Sequence, residues 1–330
     1  MALWNGPAAH DEFVERTRQD AIEIALALDH DLVRPTYWRL NEKPAARVDE
    51  FTFRYESADG SWHTMRLDPA TELYNTIAES PKPELQLEDL EEIAESLEQA
   101  VEKYQPTEEE FADLIYVLKR VGQEREVRAP GPGLAIPVNE PAWLEATLLR
   151  PDLVARYLDV QVARAKKVIP FITGLGAVML FGGGDFASDK GPMYSPRIFH
   201  DLMLPRLQVL SDYCHRAGAY HFFGSDGNLW PVAEDLYGRS GIDRHYEVDR
   251  RAGMTAREIH RRYPNITMAG DIPSHTLHTG TRQAVVAETR ACLEEARETG
   301  KVISGCSNMI VSETPDENVL AMLETIAKFR

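Results

Sequence analysis

Long apolar runs are the first thing missing from this chain. Its 330 residues contain no stretch of about 18 or more apolar side chains, so a membrane-spanning helix is not expected. Cysteine is scarce. Cys214, Cys292 and Cys306 are the only three, too few for a disulfide framework in a chain this long. The opening segment MALWNGPAAHDEFVERTRQD turns acidic and helical at once, without the basic start and apolar core of a secretory signal. These features together lead us to expect a cytoplasmic protein. Positive charge is in deficit as well. Lys and Arg number 36 against 53 Asp and Glu, a formal net charge of -17. That balance argues against nucleic-acid binding and against an anionic membrane surface, and it suits acidic, solvated outer helices. A dinucleotide fingerprint is absent too. Gly182-Gly183-Gly184 follows an apolar run but lacks the spacing and the following helix of such a turn.

What is present is a hydrophobic content of 43%, enough for a full core. The length suits one large α/β barrel or two ordinary domains. Residues 11–28 have helical apolar spacing, and residues 31–33 read as a short strand before an aromatic loop with Tyr37 and Trp38. Residues 51–55 and 62–67 alternate around Asp59-Gly60 and predict a hairpin. Residues 79–124 are acidic and helical, and residues 134–138 read as a strand ending at Asn139-Glu140.

From there the pattern becomes regular. Helices are expected over 151–171, 196–216, 228–237, 255–262, 282–298 and 315–329. Strands are expected over 177–181, 219–223, 242–248, 266–269 and 301–304. Gly176, Gly218, Gly241 and Gly300 each follow a helix, where a left-handed cap belongs. Such alternation with short loops implies parallel strands. The expectation is a single (β/α)8 TIM barrel over 1–330, with 1–125 carrying an N-terminal helix, hairpin and acidic helical elaboration.

A barrel gathers the C-terminal ends of its strands at one mouth. Those ends read, in order, Glu140, Asp185, the stretch His221 to Asn228, Glu247, Asp271 and Cys306. Each has two readings. Asp185 is a functional carboxylate or a loop organiser. Asp226 is a ligand or a helix cap. Alternation puts His221 and Phe223 on one face and Phe222 on the other. If the first face is the interior, His221 reaches the mouth; otherwise it is a core histidine. Cys306 is a mouth thiol or a buried apolar residue. Tyr37, Trp38, Phe186, Phe222 and Trp230 either line a site for an aromatic substrate or pack the core.

Several segments carry a family resemblance. GKVISGCSNMIVSETPDENVLAML, residues 300–323, resembles the C-terminal signature of the uroporphyrinogen decarboxylase superfamily. Asp185 with Ser195-Pro196, Ile242-Asp243 with Glu247, Ala269-Gly270-Asp271-Ile272 and Gly280-Thr281 fall in that superfamily's order. His221 to Asn228, HFFGSDGN, resembles the His-x-Cys/Asp-Gly-Asn strand end of its corrinoid-dependent methyltransferase branch. In that alignment Asp226 takes the Cys/Asp position and Gly224 the histidine position. The arginine-rich Arg-Gln-Ala-Gly-Arg signature of true decarboxylases is absent, and Arg34 and Arg39 stand in the corresponding loop.

The resemblance covers residues 130–330 well. It implies a methyltransferase of the methyl-ether O-demethylase type. Such an enzyme takes a methyl group from a small-molecule donor, a methoxylated aromatic, to cob(I)alamin on a separate corrinoid protein. It further implies zinc held by His221, Asp226 and Cys306, with Asp185, Glu140 and Asn228 as catalytic residues and Tyr37, Trp38, Phe186 and Phe222 against the substrate. The alternatives are a methylcobalamin:thiol methyltransferase, a decarboxylase of a porphyrin-like polyacid, and a non-catalytic corrinoid-binding barrel. A homodimer is one assembly this reading allows.

Overall fold

The computed structural model describes residues 2–36, 39, 42–70 and 73–329. Seven strands form one parallel sheet in the order they occur in the chain: β1 (Leu32–Val33), β2 (Glu126–Pro130), β3 (Met179–Gly183), β4 (Tyr220–Gly224), β5 (Arg244–Tyr246), β6 (Thr267–Ala269) and β7 (Val302–Ile303). Helix lies between each strand of this sheet and the next, and the helix Asp316–Phe329 follows the last, so the chain returns to the same end every time. The expected caps are there: Gly176, Gly218, Gly241 and Gly300 all have positive φ. The architecture is α/β and TIM-barrel-like, a curled sheet inside a helical layer.

Two expectations are corrected. The strand read at 134–138 lies earlier, at β2. Gly131-Pro132-Gly133 ends it, and residues 131–138 run as a loop beside β3, with Gly131 N donating to Phe181 O at 2.7 Å and Leu134 N to Gly183 O at 3.1 Å. Gly131 is required there, since a Cβ would lie 2.5 Å from the Leu180 carbonyl carbon. The apolar run that suggested a strand is explained by burial of Leu134 and Ile136 in the core. The second correction concerns closure. Among the described residues there are seven parallel strands, not eight, and β1 and β7 are not paired. Both edges line one cavity of about 580 Å³, with Glu126, Met179, Leu293 and Phe329.

The expected hairpin is formed by Thr52–Glu56 and Trp62–Leu67. It extends into a separate four-stranded antiparallel sheet with Ala46–Arg47 and Tyr74–Glu79. The acidic stretch forms the helices Leu90–Lys103 and Ala112–Val121. No described helix is long and apolar enough to cross a membrane.

Alternation along the strands sorts the side chains. Val33, Val127, Ala129, Leu180, Phe223 and Met268 pack outward into the main core with the helices. Leu32, Met179, Phe181, Phe222, Tyr246, Ala269 and Ile303 pack together inside the curl. The period of two is the reason neighbouring residues part company this way.

Candidate active site at the strand ends

The interior below the mouth is aromatic around one cation. Phe181 stacks on Phe222 at 4.0 Å between ring centroids, and Tyr246 lies 5.3 Å from Phe181. The Arg128 guanidinium, from β2, sits 4.6 Å from the Phe181 ring centre and 5.2 Å from that of Tyr246. Rings offer a cation their electron-rich faces. The Tyr246 hydroxyl donates to the Gly182 carbonyl at 2.6 Å. Burial pushes that phenol up to about 12.

Above this floor three carboxylates follow successive strands. Asp185 follows β3 and is exposed; Asp226 follows β4 and Glu247 follows β5, both half-buried. Burial raises Glu247 to about 7, reinforced by the charges of Asp185 and Asp226 and opposed by Arg128. Burial also raises Asp226, reinforced by Asp185 and Asp249. Asn308 opposes that rise, its Nδ2 donating to Asp226 Oδ2 at 3.1 Å. A carboxyl poised near neutrality beside two other carboxylates is equipped to hand over a proton. Glu247 also has φ +69, one of three non-glycine residues in the left-handed region among the described residues. Such a conformation costs roughly 1–3 kcal/mol and persists where the surroundings impose it, commonly at functional sites.

The remaining expected site residues fall in different places. Asn228 organises the loop: its Oδ1 accepts from Trp230 N at 3.1 Å, an Asx-type turn before the helical turn Trp230–Val232. Glu140 ends no strand. It is exposed and precedes the helix Pro141–Leu149, because the strand that would have delivered it to the mouth lies ten residues earlier. Phe222 is inside the curl. Phe186 is instead packed in the core against Tyr194 and Phe199, at 5.7 and 5.3 Å. Tyr37 and Trp38 lie outside the described residues. Arg39 is engaged by Asp113 and by Thr17 Oγ1, away from the strand ends.

His221 faces the helical layer rather than the interior. It is fully buried, and its Nδ1 lies 2.9 Å from Ser211 Oγ on the helix Leu204–Arg216. Burial lowers it to about 4, so it is neutral at ordinary pH. Cys306 is half-buried in a bridge to Ile272 behind the β6 end, and burial raises its thiol. The trio His221, Asp226 and Cys306 therefore does not fit a shared zinc ion, since the histidine points to the opposite face of its strand. Among the described residues no three His, Cys, Asp or Glu side chains gather as a metal site.

A family model, Uroporphyrinogen decarboxylase (URO-D), matches residues 141–329, more than half of the chain. The chain belongs to the uroporphyrinogen decarboxylase family. Among solved structures, this family member is similar to a methyltransferase from Methanosarcina mazei, with a TM-score of 0.64 and 17% identity, over 96% of this chain and 86% of that one. At that identity the likeness is one of fold. No curated protein sequence matches the chain.

Sequence reading of this URO-D member missed Arg128 and Tyr246, and noted Glu247 only as a strand-end match. The signals were present. Glu126-Val127-Arg128-Ala129-Pro130 alternates, placing Arg128 opposite the apolar Val127 and Ala129. Tyr246 alternates with buried His245, and Glu247 follows it at the strand end.

Proposed function

We propose that this protein is a methyltransferase that moves a methyl group from a methoxylated aromatic to cob(I)alamin carried by a separate corrinoid protein. The observation that carries the reading is the protonatable carboxyl of Glu247, held beside Asp185 and Asp226 over the aromatic interior of Phe181, Phe222 and Tyr246. The family membership and the methyltransferase likeness in fold support it.

A methyl ether is a poor electrophile because its alkoxide leaves badly. Protonating the departing oxygen lowers that barrier. The corrinoid, when docked, supplies the electron pair that forms the new bond to the methyl carbon. This chain's residues do the rest. Glu247 holds a proton at its carboxyl, which the leaving oxygen takes as its bond to the methyl carbon breaks, so a neutral phenol departs and Glu247 is left ionised. Asp185 and Asp226 keep the proton on Glu247 until that moment. Half-buried Tyr246 is the ring open to the substrate, backed by the buried Phe181 and Phe222. Arg128 beneath them limits how far Glu247 is raised.

The test mixes the protein with a corrinoid protein held as cob(I)alamin and a panel of methoxylated aromatics. Methylcobalamin should appear by absorbance, with an equal amount of phenol. Formation from methanol or a methylamine alone would keep methyl transfer and discard the aromatic donor. Carbon dioxide release from a porphyrinogen, with no methylcobalamin from any donor, would replace methyl transfer by decarboxylation.

A further inference from the structure

The strand-end glycine, Gly224, has no room above it. A Cβ built there would lie 2.2 Å from Cζ and 2.4 Å from Cε2 of Tyr246. The cause is the register. Gly224 pairs with Tyr246 across β4 and β5, and both residues face inward. A ring tip can often swing aside, but this one is held at several points. Its hydroxyl is bonded to Gly182 O, its face lies near Arg128, and Phe181 packs beside it. The surface under the ring is bare backbone: a Cβ at Gly183 would lie 2.3 Å from the Gly224 carbonyl oxygen, and one at Gly182 would lie 1.8 Å from the Pro132 carbonyl oxygen. In the alignment with the methyltransferase branch, position 224 is where a histidine ligand would stand. Here the space for that imidazole is filled by a phenol donating to main chain, and the nearest histidine, His221, is turned to the helices.

We propose that Tyr246 closes the strand-end ligand position, so that this mouth works as a proton-donating carboxylate cluster and not as a metal centre. Tyr246 is a positioning residue in this account. It seals the place above Gly224, carries Glu247 on its own C-terminal side, and keeps Arg128 against the floor. The inference uses the methyl-transfer reading only for what the mouth does; metal content is independent of turnover, so either can fail alone.

The experiment measures zinc and cobalt by mass spectrometry in protein supplied with each metal and then dialysed. The wild type should retain well under a tenth of an equivalent. Gly224→His alone should retain no more, or should unfold, because the ring still occupies the site. Gly224→His combined with Tyr246→Ala opens the space above position 224, two residues from Asp226, and should retain several-fold more zinc than the wild type. Urea unfolding shows which variants are folded. Roughly one tightly held zinc in the wild type, lost in Asp226→Ala or Cys306→Ala, would overturn the proposal. Zinc uptake by folded Gly224→His with Tyr246 intact, or none by the folded double variant, would overturn the claim that the ring closes the position.

Discussion

Two shielded acidic sites, buried Glu295 and half-buried Glu247, stand at different ends of the electrostatic range. Glu295, on the helix Arg282–Thr299, is paired with Arg250 through two hydrogen bonds of 3.0 and 2.9 Å. Burial alone would raise its carboxyl, but Arg250 outweighs burial and holds it below the ordinary value. Glu247 is also shielded from solvent but keeps the opposite company. Burial raises it, its near neighbours Asp185 and Asp226 reinforce that, and the counter-charge of Arg128 still leaves it at about 7. One site has its charge satisfied and serves the fold. The other keeps a charge problem that a bound substrate or a transferred proton relieves, as reactive sites commonly do. The less exposed carboxyl is the one held low, so the partner and not burial sets the direction.

The largest expected effect breaks the comparison at the mouth. Glu247→Gln removes the proton donor and keeps the shape, so turnover in the methyl-transfer assay should fall by about 10²–10⁴-fold. Wild-type turnover should itself fall as pH rises through about 7, where Glu247 loses its proton. The stability trend has a defined sign. A carboxyl raised from 4.5 to about 7 binds more protons folded than unfolded between those values. Wild-type stability contributed by the protonated form is therefore lost as pH rises through that window. The Gln variant lacks this slope and should be at least as stable as wild type above it, by urea unfolding at pH 5 and pH 8. Equal turnover in wild type and variant would remove Glu247 from the chemistry.

The next effect tests the satisfied site. Arg250→Ala leaves Glu295 buried without its main partner, and breaking such a pair costs about 3–5 kcal/mol. Arg257, 3.7 Å from Glu295, takes up part of the load, so the lower end of the range is expected. The urea midpoint should drop clearly in this variant and not in Glu247→Gln. A loss of stability in the mouth variant that matched it would erase the distinction between the sites.

How much of this was legible before the structure depends on what each inference needed. Of the five strands after residue 150, four were readable because a glycine suited to a left-handed cap precedes each, and Gly176, Gly218, Gly241 and Gly300 all have positive φ. The strand at 126–130 was missed because its successor, Leu134 to Val138, has the apolar residues of a strand but buries them from a loop pinned by Gly131 and prolines. Strand alternation separated His221 from Phe222 correctly. It carried no information on which face was inward; that depends on Ser211 and Phe181, far away in the chain. The closure over Gly224 was invisible for the same reason, since it belongs to a side chain 22 residues later on the next strand. Sequence spacing located the strand ends, and tertiary neighbours decided what each could do.

The smallest effect sharpens the comparison inside the mouth. Asn308 Nδ2 donates to Asp226 Oδ2 at 3.1 Å and is a neutral side chain that favours the ionised form of Asp226 by hydrogen bonding. Asn308→Ala removes that bond. Asn308 is exposed, so water replaces much of it, and the stability change should stay under about 1 kcal/mol. The informative readout is electrostatic. Without the bond Asp226 holds its proton to higher pH, and its negative charge near Glu247 is reduced. Glu247 then ionises more easily, and the alkaline fall in turnover should move to lower pH. The direction is set by which carboxyl gains the proton. If Asp226 and Glu247 titrate independently, the fall in turnover stays where it is in wild type, and the mouth is a set of separate acids, with no coupling of the kind that distinguishes it from the Arg250–Glu295 pair.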